Sequence, residues 1–419
     1  MQIVEDKKVN KNKYLNNPKD WSRRDFLTRA AAAGAALGTG KALAQDAPKP
    51  PSEPAGALAN AAVMGEKHTG MTVLSERPLT ASVPAELHHF AATPNDRMFV
   101  RNNLLTPDID AAKHRLTVKG SVHKEVSFSL EELRKNFPLV RTQAMLECAG
   151  AGRTGFVPRP SGTPWQLTGG MGCPVWNGVR LRDVLRAAGV QNHAAHVAGQ
   201  GGDFGVIATA APVIRSIPMD KAMEPHTLVV FGMNDGPLPK VHGYPLRLMV
   251  PGWAGSASVK WLHTLNVLDA PFKGTYMDTS YRIPRDAVRP GEKMPPDALV
   301  TEAWPVKSMI TYPAPNAVFK LGHSVLVEGR AWVGEGAIAK VELSFDEGVT
   351  WQAAQINNAT DKYAWRIFSV EFKPAKAGFT TALARATDDR GNSQPMVARW
   401  NPLGYFWNGV HRVGFVVEA

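Results

Sequence analysis

The C-terminal part of the chain consists of short apolar runs separated by turn residues, and this pattern constrains the fold more than any other feature. The runs include SVLVEGRAWV, IAKVELSFDEGVTW, YAWRIFSVEF and TTALARATDDRGNSQP, with Asp, Gly and Asn between them. Short runs with turn signals at this spacing are typical of antiparallel β-sandwiches of immunoglobulin type. We therefore expect a β-sandwich domain over residues 313–419.

The preceding residues, 85–270, mix strand and helix patterns. HRLTVKGSV alternates as a strand does, SLEELRKNF begins with a capping box formed by Ser129 and Glu132, and VRLRDVLRAAGV has one apolar helical face that ends at Gly189. HTLVVFGM and YPLRLMVPG are typical of buried strands. Because regular βαβ alternation is missing, we predict an α+β domain, joined to the sandwich by a Pro-rich connector at 271–312.

The N-terminal stretch WSRRDFLTRAAAAGAALGTGKALAQD resembles a bacterial twin-arginine (Tat) export signal. Arg23 and Arg24 stand in tandem before an apolar run, which is too short and too weakly apolar to span a membrane. We expect residues 1–44 to be a Tat signal peptide and residues 45–84 to be an extended or poorly ordered Pro/Ala-rich leader. The mature protein is then expected to be periplasmic, exported folded by the Tat machinery, and without a stable membrane span.

The net charge argues against a nucleic-acid partner. The chain carries a formal charge of +11, of which the nine Lys/Arg and four Asp/Glu of residues 1–44 contribute +5, leaving +6 for the remainder. This mild surplus suits a small anionic substrate or an acidic partner. It is not concentrated into the basic, aromatic-interleaved stretch that nucleic-acid binding favours.

The two cysteines, Cys148 and Cys173, leave several chemistries open. In an exported protein they form a disulfide by default, which would suit a non-catalytic binding or scaffold module. Against this, Cys148 lies in LECAGAGR among small residues, and arginines such as Arg101 and Arg153 favour a thiolate that acts as ligand or nucleophile. The residues alone leave both alternatives open.

Several stretches, taken together, resemble the sulfite oxidase family of molybdenum enzymes. They are FVRNN at 99–103, ECAGAGR at 147–153, HGYPLRLMVPGWAGSASVKW at 242–261 and GRAWVGEGAIAKVELSFDEGVTW within the sandwich. The resemblance extends over nearly the whole mature chain and is greatest to the bacterial periplasmic sulfite dehydrogenases.

This resemblance implies a molybdenum–molybdopterin cofactor and the two-electron oxidation of sulfite, or a related sulfur oxyanion, to sulfate. It also implies a homodimer formed through the sandwich. A c-type cytochrome is expected as electron acceptor, because the sequence contains no C-x-x-C-H motif and we expect no haem in this chain.

The resemblance also implies roles for individual residues. Cys148 corresponds to the thiolate ligand of molybdenum, a soft donor suited to this metal. Arg101, Arg153 and Arg412 correspond to arginines that hold the substrate oxyanion through fork-shaped donors, and Tyr281 to the active-site tyrosine. The expected cofactor pocket comprises Phe99, Val100, Arg101, Asn102, Asn103, Asp203, His242, Arg247, Ser258, Val259 and Lys260.

The sequence departs from the family pattern at two positions. Ala151 replaces the usual asparagine after C-A-G, and Asn103 replaces the histidine of F-x-R-N-H. These changes bear on the substrate, so oxidation of a protein-bound sulfane group and reduction of a sulfoxide remain alternatives, beside the non-catalytic scaffold. Related methionine sulfoxide reductases lack a C-terminal sandwich, which argues against the reductase.

Overall fold

β-Structure dominates the computed structural model, which describes residues 57–357 and 361–419. The proposed signal peptide therefore lies outside the described residues. The α-helices of the described part are short: α1 (Asn60–Gly65), α2 (Leu130–Asn136), α3 (Leu181–Ala188), α4 (Met219–Met223) and α5 (Thr275–Asp278). Over these same described ranges, the structure contains no helix with the length and apolar character needed to cross a membrane.

The strands of the first domain assemble into small, mostly antiparallel sheets. In chain order they are β1 (Thr72–Glu76), β2 (Leu79–Ser82), β3 (Val100–Arg101), β4 (Leu116–Gly120), β5 (Val126–Phe128), β6 (Leu139–Gln143), β7 (Leu146–Glu147), β8 (Met171–Gly172), β9 (Val175–Arg180), β10 (His196–Gly201), β11 (Ile214–Pro218), β12 (Leu228–Met233), β13 (Gly236–Pro237), β14 (Arg247–Met249) and β15 (Leu262–Leu268). The sheets have the orders β1-β2-β3, β11-β10-β15-β4-β5 and β13-β12-β9-β6, with β14 beside β12 and a separate β7–β8 ribbon. Among these sheets only β15 and β4 pair in parallel, so the α+β prediction is confirmed.

Two predicted helices form for the local reasons expected from the sequence. At the start of α2, Ser129 Oγ accepts from the Glu132 amide at 3.1 Å and the Glu132 carboxylate accepts from the Ser129 amide at 2.7 Å, which completes the capping box. Helix α3 buries Leu181, Val184, Leu185 and Ala188. It ends at Gly189, whose φ of 68° lies in the left-handed region that glycine adopts without strain.

The second domain is the predicted β-sandwich. After the two-stranded ribbon of β16 (Arg282–Ile283) and β17 (Leu299–Val300), its strands are β18 (Lys307–Tyr312), β19 (Val318–Lys320), β20 (Val325–Trp332), β21 (Ile338–Ser344), β22 (Gln352–Ala353), β23 (Gln355–Ile356), β24 (Arg366–Phe372), β25 (Gly378–Asp388) and β26 (His411–Glu418). The sheets β18-β20-β24-β23 and β19-β26-β25-β21-β22 pack around Val327, Val341, Phe368 and Phe415. The sandwich begins before residue 313, because β18 is already one of its strands and all but the last of its residues are buried.

Residues 57–84 are folded, so the expectation of a poorly ordered leader is wrong for this stretch. Strands β1 and β2 form a hairpin, and β2 continues the sheet by pairing Thr80 with Arg101 of β3. Leu79, Ala81 and Val83 are fully buried and share a hydrophobic core with Trp165. The hairpin is ordered because its apolar side chains complete a core that lies against later parts of the chain.

Candidate active site

Cys148 lies in a tight loop directly after β7. Its amide donates to the Gly170 carbonyl at 2.9 Å and its carbonyl accepts from the Ala151 amide at 2.7 Å, so the turn closes through the backbone even without the family's asparagine side chain. The residue is 8% exposed and lines a cavity that is partly open to solvent. Cys148 and Cys173 are both free thiols, which removes the disulfide on which the scaffold alternative depended.

Most of the predicted site residues meet in this cavity. Those that line it are Phe99, Arg101, Asn103, Cys148, Asp203, His242, Arg247, Ser258, Val259, Lys260 and Tyr281. Five residues that were not predicted from the sequence complete the wall: Leu146, Val213, Gly255, Ser256 and Trp261. The buried side chains of Val100 and Asn102 do not line the cavity. Asn102 acts from behind it, because its side-chain oxygen accepts from Lys260 Nζ.

Tyr281 is held in an unusual backbone conformation at the cavity wall. Its φ of 56° lies in the left-handed region, which is strained for a residue with a side chain. The Tyr281 carbonyl accepts from the Thr301 amide at 2.7 Å, and the ring stacks on Tyr405 with a centroid distance of 5.6 Å. The hydroxyl lies 3.0 Å from Nδ2 and 3.2 Å from Oδ1 of Asn103. Asn103, which replaces the family's histidine, therefore contacts the candidate catalytic tyrosine directly.

The three predicted substrate arginines do not come together. Arg101 lines the cavity, with Nη1 donating to the Asn102 carbonyl. Arg153 is buried outside it: Nε and Nη2 donate to the Leu403 carbonyl at 3.1 and 3.0 Å, and Nη1 donates to the Thr163 carbonyl at 2.7 Å. Its guanidinium is thus occupied by backbone carbonyls.

The prediction that Arg412 belongs to the site is wrong. Its side chain is 47% exposed and Nη1 lies 2.6 Å from the Glu347 carboxylate, on the outside of the sandwich. Along β26 successive side chains point to opposite faces, and because His411 and Val413 are buried, Arg412 is directed outward. The motif match located the strand correctly but did not reveal which of its side chains point outward.

A buried arginine that the sequence analysis missed contacts Tyr281 instead. Arg215 of β11 donates from Nη1 to the Tyr276 carbonyl at 2.6 Å and from Nη2 to the Thr301 carbonyl at 2.9 Å. Its Cζ lies 5.3 Å from the centre of the Tyr281 ring. Burial lowers the pKa of Arg215 to about 10, which still leaves it charged near neutral pH. No local signal marks this arginine, because RSIP is an ordinary short strand in sequence.

Basic side chains outnumber carboxylates among the described residues of the inner cavity. His242, Arg247 and Lys260 face a single acid, Asp203, and Lys67 reaches the same cluster from the segment after α1. Burial lowers the pKa of Arg247 to about 9 and that of Lys67 to about 7. Burial raises the pKa of Asp203 to about 6, against the opposing effect of Lys260. Keeping Arg247, Lys260 and Lys67 charged in this buried position has a large desolvation cost unless an anion shares the site.

The cavity residues fit a molybdopterin cofactor. Arg247 Nε and Ser256 Oγ are buried without hydrogen-bond partners within the described residues, so two donors are free for an anionic group such as the cofactor's phosphate. At Gly255 an added Cβ would lie 2.8 Å from the Glu147 carbonyl, so a bulkier residue would displace the Cys148 loop. The described residues contain no cluster of three or more His, Cys, Asp or Glu that could hold a metal. Cys148, whose thiol lines the cavity, is the candidate protein ligand, beside the sulfur ligands of the pterin.

Comparison with known proteins defines the class. Residues 103–276 match the family described as "Oxidoreductase molybdopterin binding domain", and residues 299–418 match the "Mo-co oxidoreductase dimerisation domain". The chain belongs to the sulfite oxidase family of molybdenum enzymes, and its cofactor is molybdenum–molybdopterin.

Individual relatives refine this assignment. Sulfite oxidase of Gallus gallus is 33% identical over 365 residues, which cover 83% of this chain and 78% of that protein. Mitochondrial sulfite oxidase of Mus musculus is 34% identical over 363 residues, which cover 83% of this chain and 66% of the relative, so the chain spans about two thirds of its length. The crystal structure of the sulfane dehydrogenase SoxCD from Paracoccus pantotrophus matches with a TM-score of 0.70 and 25% identity, covering 88% of this chain and 94% of that chain.

Proposed function

We propose that this molybdenum oxidoreductase oxidises a sulfane sulfur group. One observation carries the choice of substrate: of the three arginines expected to surround a sulfur oxyanion, only Arg101 faces the cavity, and its other cations, Arg247 and Lys260, belong to the inner part assigned to the cofactor. A trigonal oxyanion such as sulfite needs several positive donors matched to its oxygens, whereas a terminal sulfane sulfur carries at most one charge. The structural likeness to a sulfane dehydrogenase supports the same substrate class.

The chain's own residues position and shield the sulfur group. The molybdenum centre, held at Cys148, supplies two-electron redox chemistry when it is bound. Arg101 offsets the charge of an incoming sulfur anion, and the Tyr281 hydroxyl, oriented by Asn103, offers a hydrogen bond beside it. Leu146, Val213 and Trp261 add apolar wall that limits water around the reacting sulfur.

Free sulfite is the second candidate substrate. Relatives that are 33–34% identical are named sulfite oxidases, and the cationic cavity attracts any small sulfur anion. For either substrate we propose a c-type cytochrome as electron acceptor, since the sequence has no haem attachment motif of its own. A homodimer through the sandwich is proposed from the match to a dimerisation domain.

Export to the periplasm by the Tat pathway is proposed from residues 1–44 alone. Replacing the tandem pair, Arg23→Lys with Arg24→Lys, is expected to retain the protein in the cytoplasm without changing its molybdenum content. Cell fractionation with a Sec-exported marker as control tests this. Periplasmic protein at the normal level in the double variant would reject the Tat route.

Steady-state turnover by the molybdenum-loaded, full-length protein tests the substrate. Cytochrome c is the acceptor, and free sulfite is compared with a protein-bound persulfide of the same concentration. We expect kcat/KM at least tenfold higher for the persulfide, with no turnover of either substrate by Cys148→Ser. A higher kcat/KM for sulfite than for the persulfide would make free sulfite the favoured substrate. No turnover of either substrate by the loaded protein would reject sulfur oxidation altogether.

A further inference from the structure

Lys67 contacts His242 across the back of the cofactor cavity. Its Nζ lies 2.6 Å from His242 Nε2, 2.7 Å from the Asn95 carbonyl and 3.1 Å from the Met98 carbonyl. Both side chains are buried. Nothing in the family resemblance of the sequence pointed to Lys67, which precedes the first matched motif.

The three contacts match the hydrogen-bond capacity of a charged lysine. An ammonium group has three donors and no acceptor. Two of its contacts here are carbonyl oxygens, and the third, His242 Nε2, accepts when the imidazole carries its hydrogen on Nδ1. If Lys67 donates to Nε2, that nitrogen has no hydrogen and a neutral imidazole carries its hydrogen on Nδ1.

The surroundings keep His242 neutral. Burial lowers the pKa of the imidazole well below its usual value, and the positive charges of Lys67, Lys260 and Arg247 add to this effect. Asp203 is the acid of the same cavity, and it interacts with Lys260. A neutral ring presents one donor, and its Nδ1 makes no hydrogen bond to any residue within 57–357 or 361–419. Since His242 lines the cavity, that donor is available to a bound anion.

We propose that Lys67 is a positioning residue for the cofactor: it fixes His242 as the Nδ1–H tautomer, which donates a hydrogen bond to the anionic part of molybdopterin. The inference depends on the cofactor and not on which sulfur substrate is oxidised. It gives the folded N-terminal segment a role, since α1 and the turn after it hold Lys67 in place through the Met64 carbonyl, which accepts from the Lys67 amide at 3.0 Å. Partners that orient a ligating side chain change affinity by about 10–100-fold in metal sites, and a similar effect is expected here.

The tautomer is measured by NMR of holoenzyme containing ¹⁵N-labelled histidine, with His242→Leu used to assign the signals. The wild type is expected to show a protonated Nδ1 and an unprotonated Nε2 at His242. Lys67→Met is expected to mix or invert this pattern, whereas Lys67→Gln keeps it, because the glutamine amide still donates to Nε2. Lys240→Met is the matched control, since Lys240 lies in the same turn as His242 but is exposed and pairs with Asp108 at 2.7 Å.

The rate of pterin release from the same proteins shows whether Lys67 acts through His242. Lys67→Met is expected to release the cofactor at least tenfold faster than wild type or Lys240→Met. In the His242→Leu background the same substitution is expected to have no further effect. The proposal would be overturned if Lys67→Met left the His242 tautomer unchanged. It would also be overturned if the effects of Lys67→Met and His242→Leu on the rate of pterin release multiplied in the double variant. If Lys67→Met does not yield holoenzyme, Lys67→Gln decides: loss of the Nδ1–H pattern there counts against the proposal, and its retention supports it.

Discussion

Lys307 and Glu147 form a buried ion pair between the sandwich and the loop that carries Cys148. Lys307 Nζ lies 2.7 Å from Glu147 Oε1, and the two side chains are 0% and 1% exposed. The second carboxylate oxygen accepts from Trp332 Nε1 at 2.8 Å. Because Glu147 immediately precedes Cys148, strand β18 of the sandwich fixes the position of the candidate metal ligand.

Removing one partner of this ion pair is expected to lower the free energy of unfolding far more than removing both charges. Lys307→Met leaves the Glu147 carboxylate buried without its cation, which should lower the free energy of unfolding by about 3–5 kcal/mol. Adding Glu147→Gln is expected to restore much of the loss, because the amide is neutral. Urea unfolding measures both.

Lys340→Met is the matched control for Lys307→Met. Lys340 is 55% exposed and pairs with Glu342 at 3.1 Å, and loss of the Lys340 charge is expected to change the unfolding free energy by less than about 1 kcal/mol. Equal changes in the unfolding free energy for Lys307→Met and Lys340→Met would show that the buried pair contributes no more to stability than an ion pair with an exposed lysine.

The two cysteines are expected to behave differently. Burial raises the pKa of Cys173 to about 12, so it stays a protonated thiol. Cys148→Ser should lower the molybdenum content, because it removes the protein's own sulfur ligand and leaves the metal held through the pterin alone, whereas Cys173→Ala should retain the metal. Metal analysis and maleimide labelling check this, with Cys148 reactive in cofactor-free protein and protected in holoenzyme. Loss of molybdenum from Cys173→Ala and not from Cys148→Ser would contradict the assignment.

The three arginines predicted to bind the substrate are expected to differ in how their replacement affects KM and the free energy of unfolding. Arg101→Gln should raise KM for a sulfur anion with little change in stability, because Arg101 faces the cavity. Arg153→Gln should lower the unfolding free energy by about 2–3 kcal/mol, since its hydrogen bonds hold the Leu403 and Thr163 carbonyls.

Arg412→Gln serves as the control for both arginine variants, because its partner Glu347 is on the surface. It is expected to change neither KM nor the unfolding free energy measurably. A raised KM in Arg412→Gln would show that Arg412 contributes to substrate binding after all.

Stability is expected to fall in acid because two buried histidines stay neutral in the folded protein. Burial lowers the pKa of both His88 and His411 to about 4, compared with 6.5 in an unfolded chain. The unfolded chain therefore binds protons first as the pH falls from 6.5 toward 4. For each histidine, the free energy of unfolding is therefore expected to fall over this pH range, by about 2 kcal/mol between pH 7 and pH 5.

Urea unfolding at pH 7 and pH 5 tests the acid effect. His411→Gln should reduce the difference between the two pH values by about 2 kcal/mol, because glutamine does not titrate in this range. His193→Gln, at an exposed position, is the matched control. The same pH difference in wild type and His411→Gln would show that His411 does not carry the effect.

The local sequence was sufficient to predict the main helices and strands and most of the residues that line the cavity. The Ser129 and Glu132 capping box, the apolar face of α3 and the strands of the sandwich were all predictable, because each depends on residues a few positions apart. The motifs containing Cys148, His242 and Lys260 likewise named residues that share the cavity.

The tertiary structure alone decided which distant side chains meet. Lys67 and His242 are 175 positions apart, and Glu147 and Lys307 are 160 apart, so no local pattern links them. Arg412 matched a motif but lies on the outer face of its strand, whereas Arg215 matched none and packs against Tyr281. The sequence by itself determined the cofactor class and the loop that carries the thiol. The environment of each charge was decided by the fold, because burial and pairing depend on neighbours from other strands and from the other domain.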